Sequence, residues 1–171
     1  MKEKIMKLSV LVGIPVIALF IMVGMASADP SYSIQGVYAV TGFSSCDTGA
    51  PSIVEADYTF RHDGTGSISN GVVRNLPPGP VLSMTAEFEY TVTKEGRIEI
   101  KYPVAGLEIS MGGQYLMTWD GGPSHGVISP DHKTITISCG PPVFLNLIDP
   151  EPLPGTPPTA CILSLSGVRI R

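Results

Sequence analysis

Ser83-Met84-Thr85-Ala86-Glu87-Phe88-Glu89-Tyr90-Thr91-Val92-Thr93 decides the fold. Met84, Ala86, Phe88, Tyr90 and Val92 occupy one set of alternate positions, and Ser, Thr and Glu occupy the other. A period of two sustained over this stretch is the mark of a β-strand with one dry and one wet face. Val54 to His62 repeats it, with Val54, Ala56, Tyr58 and Phe60 against Glu55, Asp57, Thr59 and Arg61. Arg97 to Tyr102 does so again through Ile98, Ile100 and Tyr102. Asp63-Gly64-Thr65-Gly66 and Lys94-Glu95-Gly96 connect such runs and carry residues that tolerate positive φ, so sequence neighbours are expected to be antiparallel neighbours.

Further strands are expected at Ile34 to Thr41, Ser67 to Arg74, Gln114 to Trp119, His125 to Ser129, Lys133 to Cys139 and Ala160 to Ile170, with a turn at Ser129-Pro130-Asp131-His132. Short strands at this spacing, without helical periodicity between them, predict an all-β, antiparallel up-and-down β-barrel of about eight strands. Gly140 to Pro158 breaks the rhythm with seven prolines in nineteen residues. Proline cannot donate to a β-ladder, so this stretch reads as a long loop or flap and not a strand. Its apolar centre, Val143, Phe144, Leu145, Leu147 and Ile148, either packs on the barrel or serves as a lid or partner surface.

The N terminus has another character. Lys2, Lys4 and Lys7 precede an apolar run from Leu8 to Met25, and Ala26-Ser27-Ala28 follows. This is the three-part pattern of a cleavable signal peptide over 1-28, interrupted by Pro15, leaving 29-171 as a single domain. An uncleaved anchor is the rival reading, since a run of ~18 apolar residues can span a bilayer. Removing three Lys and one Glu from 11 basic and 15 acidic residues leaves 8 against 14, a net charge of minus 6. That balance argues against nucleic acid as a partner, because phosphate binding needs a basic patch. Periplasmic or secreted localisation follows, with no stable membrane span after cleavage.

Three cysteines, Cys46, Cys139 and Cys161, permit three pairings in an oxidising compartment. A Cys46–Cys161 bond would close a loop worth roughly 4 to 5 kcal/mol in the chain-entropy model. Cys139 would then remain as a small apolar residue.

Gly36-Val37-Tyr38, Cys46, Phe60-Arg61-His62-Asp63-Gly64-Thr65-Gly66, Phe88-Glu89-Tyr90-Thr91-Val92 with Gly96, Asp131-His132-Lys133-Thr134-Ile135-Thr136 and Cys161 occur in that order. In this the chain resembles uncharacterised small secreted bacterial proteins that look lipocalin-like, closed calycin-like β-barrels without an assigned activity. The resemblance covers most of 29-171 and implies Cys46 and Cys161 as the disulfide. It departs from true lipocalins in having Gly-x-Tyr where they have Gly-x-Trp, in having Trp119 as the only Trp, and in lacking a C-terminal helix pattern. No catalytic residues carry over.

Gly122-Pro123-Ser124-His125-Gly126 matches the Gly-x-Ser-x-Gly pentapeptide of hydrolases, which works only at a strand-to-helix elbow. Pro123 and flanking strands predict an ordinary turn instead. His62, His125 and His132 lack ligand spacing on one element, and Asp63-Gly64-Thr65-Gly66 lacks the repeated carboxylates of a calcium loop. Neither a metal nor a cofactor is expected, and the chain reads as no enzyme. Tyr38, Tyr58, Phe60, Phe88, Tyr90, Tyr102 and Trp119, together with Met84, Tyr115 and Met117, are expected to face the interior. They either fill the barrel or line a cavity for one small hydrophobic ligand, and three or more inward Tyr hydroxyls without protein partners would mark the cavity. The leading expectation is an exported, non-enzymatic binding barrel. The alternative is a solid-core interaction, inhibitor or envelope accessory module whose loops contact an envelope protein.

Overall fold

The structure, a computed structural model, describes residues 34–47, 51–76, 79, 81–103, 107–120, 123–139, 143–147 and 159–171. The signal-peptide pattern at 1–28 lies outside them. All described residues belong to one compact unit within Ser31–Arg171. It contains β1 (Gly36–Cys46), β2 (Ser52–Phe60), β3 (Thr65–Asn75), β4 (Val81–Val92), β5 (Arg97–Lys101), β6 (Leu107–Met111), β7 (Gln114–Asp120), β8 (Ser124–Ile128), β9 (Thr134–Cys139), β10 (Val143–Leu147) and β11 (Thr159–Arg169).

The alternation in the sequence becomes the burial pattern. Along β4, Leu82, Met84, Ala86, Phe88 and Tyr90 are buried while Val81, Ser83, Thr85, Glu87, Glu89 and Thr91 are exposed. The wall closes because β1 pairs on one side with β2 and on the other with β11. The closed order β1-β2-β3-β4-β5-β8-β9-β11 is an eight-stranded antiparallel barrel. No edge strand is left open along it, which removes the exposed ladder that invites aggregation.

A second circuit shares most of this wall. β6, β7 and β10 join β4 to β11 just as β5, β8 and β9 do. β4 uses Glu89–Val92 for β5 and Ser83–Ala86 for β6; β11 uses Ser164–Val168 for β9 and Thr159–Cys161 for β10. The pairs β5 with β6, β7 with β8, and β9 with β10 are therefore three long strands, each interrupted at the same level. The eleven segments reduce to eight strands running up and down. The sequence places Pro103 and Gly106, Gly121-Gly122-Pro123 and Gly140-Pro141-Pro142 at those three interruptions.

Two segments correct the sequence reading. Leu107–Met111 forms β6, with Leu107 and Ile109 buried, although no strand was expected there. Val143–Leu147 forms β10, inside the stretch read as a loop and not a strand. Its backbone is paired on both sides, Leu145 with Trp119 on β7 and with Thr159 on β11, so these residues belong to the wall and not to a free lid. The physical reason is that the prolines flank the five residues and remove no donor from within them. Ile148 and the other loop residues lie outside the described set.

The disulfide joins Cys46 to Cys161, directly opposite each other on β1 and β11. The Asp47 amide donates to the Ala160 carbonyl at 3.0 Å, which makes Cys46 and Cys161 a non-hydrogen-bonded pair, the kind with closer Cα atoms, here 4.0 Å apart. Cys139 ends β9 opposite Ser124, and its side chain lies outside the described residues.

Candidate functional site

The inward side chains at one end of the barrel are aromatic. Tyr38, Tyr58, Phe60, Phe88, Tyr90 and Tyr102 stand ring against ring, with centroids 5.0 to 6.5 Å apart and mostly edge-to-face, the arrangement ring quadrupoles favour. Gly66 makes room for this layer. It lies opposite Phe88 on the neighbouring strand, and a Cβ added there would clash with the edge of the Phe88 ring and with the Thr59 carbonyl.

Two hydroxyls of this layer are used within the protein. Tyr38 donates to the His132 carbonyl at 2.8 Å. Tyr90 shares its proton between the carbonyls of Ile34 at 2.6 Å and Arg61 at 2.5 Å, tying the residues before β1 and after β2 to the inside of β4. Burial pushes the Tyr90 phenol up to about 12, helped by the nearby Asp63 carboxylate and Tyr38. Burial raises Tyr38 as well, with Arg169 partly opposing and Asp131 adding. Neither Tyr58 nor Tyr102 is without a partner. Tyr38 and Tyr90 thus spend their hydroxyls on backbone carbonyls, and the six rings form a packed layer. Trp119 lies on β7 opposite Leu145, with its side chain outside the described residues.

The concave feature lies where the wall is interrupted. β4 pairs with β5 up to Glu89–Lys101 and with β6 from Ala86–Leu107, so that among the described residues Glu87 and Phe88 have no ladder partner on that side. Lys101 to Leu107 is six steps (107 − 101), whereas Glu89 to Ala86 is three (89 − 86), so the chain carries three residues more than a continuous ladder needs. A groove of about 440 Å³ opens beside this gap, lined by Arg61, Thr65, Glu87, Phe88, Glu89, Lys101, Tyr102 and Pro103. Phe88, only 3% exposed, and the half-buried Tyr102 reach it from the aromatic layer, their rings 6.0 Å apart. Arg61 pairs with Glu87 at 3.2 Å and Lys101 with Glu99 at 3.0 Å, placing both signs of charge around an apolar floor. Of the seven aromatics singled out in the sequence, Phe88 and Tyr102 therefore border open space while Tyr38 and Tyr58 lie wholly in the core. Arg61, Glu87 and Lys101 were not foreseen, because outward charges on strands look like ordinary solvated positions.

The remaining motifs resolve simply. Ser124 begins β8, fully buried and paired through its backbone with Ile100 and Cys139, so the pentapeptide around it is not an exposed elbow. His62 is exposed in the turn after β2, His125 points outward from β8, and His132 sits in the β8–β9 turn at a φ of 55°. Among the described residues no group of three His, Cys, Asp or Glu is placed to hold a metal ion. Asp63 binds the amide and hydroxyl of Thr65, and Asp131 takes the Ser129 hydroxyl and the Lys133 amide; these bonds hold both carboxyls below their ordinary value. Both aspartates therefore organise turns.

No protein family, no curated protein and no solved structure matches the chain.

Proposed function

We propose that this is an exported, non-enzymatic binding barrel that takes a small amphipathic molecule in the groove beside β4. The observation that carries the reading is the interrupted wall, where Phe88, Tyr102 and Pro103 give an apolar floor and Arg61, Glu87, Glu89 and Lys101 a charged rim. A volume of about 440 Å³ is in the range of small-molecule sites, and an apolar lining with a few polar groups is their usual composition. The floor rests on the packed aromatic layer, so the site is preformed and loses little entropy on binding. Export accords with the signal-peptide pattern and with the Cys46–Cys161 bond, since such bonds persist in oxidising compartments.

A fluorescence titration of the exported protein with anilinonaphthalene sulfonate, followed by displacement with a series of medium-chain fatty acids and amines, tests this. Saturable binding that weakens about tenfold or more in Tyr102→Ala, the loss of roughly 1.4 kcal/mol of contact, is expected. Absence of saturable binding, or an affinity indifferent to Tyr102, would refute it. The second reading, a solid-core interaction module, is favoured by the filled aromatic layer.

A further inference from the structure

The charges at the rim of the groove beside β4 do not balance. The wet face of β4 sets Glu87 and Glu89 there, the turn after β2 supplies Arg61, and β5 supplies Glu99 and Lys101. Both cations are committed. Arg61 donates through Nη1 to Glu87 at 3.2 Å and through Nη2 to the Ser67 hydroxyl at 3.1 Å. The Lys101 ammonium lies 3.0 Å from the Glu99 carboxylate on its own strand, although Glu89 stands directly opposite it in the ladder. The neighbour of Glu89 on the other side, Thr65, is uncharged. Among the described residues no ion pair reaches Glu89. Glu87, Glu89 and Glu99 against Arg61 and Lys101 leave one negative charge over, and the unmatched carboxylate borders the open space. The floor has the same electrostatic sense. Phe88 and Tyr102 meet there with ring planes inclined at 71°, and the faces of aromatic rings carry partial negative charge.

We propose that the groove selects an organic cation, an alkylammonium whose chain lies on Phe88, Tyr102 and Pro103 and whose head group pairs with Glu89. This rests on the binding reading above and adds to it the sign of the ligand's charge. Charge complementarity chooses between the two kinds of amphipath. An ammonium gains from the unmatched carboxylate and from the aromatic floor together, since cations are attracted to ring faces. A fatty carboxylate finds no free partner, because Arg61 would have to leave Glu87 or Lys101 leave Glu99, and it meets the surplus negative charge. The field of the whole chain acts in the same direction, with a net charge of minus 4 drawing cations toward its surface. A bare metal ion is not served by these groups, for a hard cation takes six or more oxygens and no metal-binding cluster is formed among the described residues. Glu89 is exposed, so its pairing is partly screened. An exposed ion pair and an exposed cation–π contact are each worth a few-fold in affinity, and inverting the ligand's charge counts the ionic part twice, so discrimination of about tenfold at low salt is expected.

Isothermal titration calorimetry of the exported protein at low ionic strength tests this, with octyltrimethylammonium, octanoate and octanol as ligands of equal chain length and different charge. The ammonium should bind saturably and about tenfold more tightly than octanoate, with octanol between them. Glu89→Gln should bring the ammonium and the carboxylate to within about threefold of each other while leaving octanol unchanged. Glu55→Gln, on β2 away from the groove, should keep the full preference. Both glutamates are exposed, and circular dichroism confirms that each variant folds. Octanoate bound as tightly as the ammonium, or an ammonium preference that survives Glu89→Gln, would overturn the proposal and leave the binding reading standing. No saturable binding of any of the three would overturn both.

Discussion

Replacing both Cys46 and Cys161 by Ala should cost about 5 kcal/mol of stability. The bond spans 115 residues, and the chain-entropy relation, −2.1 − 1.5R ln n cal/mol/K, gives about −16 cal/mol/K, or nearly 5 kcal/mol at 25 °C. Folded-state losses are small by comparison, because β1 and β11 remain hydrogen-bonded on both sides of the site. The unfolding entropy of a domain spanning Ser31–Arg171, at about 2.1 cal/mol/K per residue, is roughly 0.3 kcal/mol/K, so the midpoint should fall by about 16 °C. Thermal melts followed by circular dichroism at the β-sheet band, with oxidised wild type, the double variant and Cys139→Ala compared, provide the assay. Cys139→Ala retains the bond and should stay within about 5 °C of wild type, a conservative-substitution effect. A double variant melting within ~5 °C of wild type would refute the reasoning, since the loop would then contribute no such entropy to the unfolded chain.

Two other outcomes depend on the aromatic layer. Tyr90→Phe should lose about 1–3 kcal/mol in urea unfolding, because two carbonyls are deprived of their donor. Because the folded phenol titrates near 12 against an ordinary 10.0, its contribution is whole below pH 10 and is lost as pH rises toward 12. The wild-type minus Tyr90→Phe difference at the phenolate absorbance band should therefore appear only near the upper value; an appearance at the ordinary one would show that the burial is wrong. Gly66→Ala should destabilise by about 1–3 kcal/mol through overpacking against Phe88, and a smaller ring at 88, in Gly66→Ala/Phe88→Leu, should recover part of it if the clash is the cause.

What the sequence reveals and conceals about this barrel has a common physical origin. Side-chain alternation reports only that a segment has two faces, and it does so best where the strand is long, as in Val81–Val92. It therefore exposed the fold class, most of the strands and the inward aromatics. A strand of five residues between breakers offers too few alternations, and Leu107–Met111 and Val143–Leu147 went unseen for that reason. Pro103, Pro123 and Pro141 each resemble the end of an element when read along the chain. Only register shows that the strand interruptions lie at one level across three adjacent strands, so that Pro103 and Pro123 follow the end of a segment without ending the wall. The groove inherits this concealment. Phe88 was legible as an inward ring, but the open space beside it is created by Pro103, fifteen residues away (103 − 88), at the point where one ladder stops before the next begins. The same holds for the charge at its rim. Arg61 and Glu87 are far apart in sequence and unremarkable alone, and they meet because β3 pairs with both β2 and β4, which leaves Glu89 as the unmatched carboxylate. The groove and its charge thus arise from pairing between strands, a property that no single segment carries.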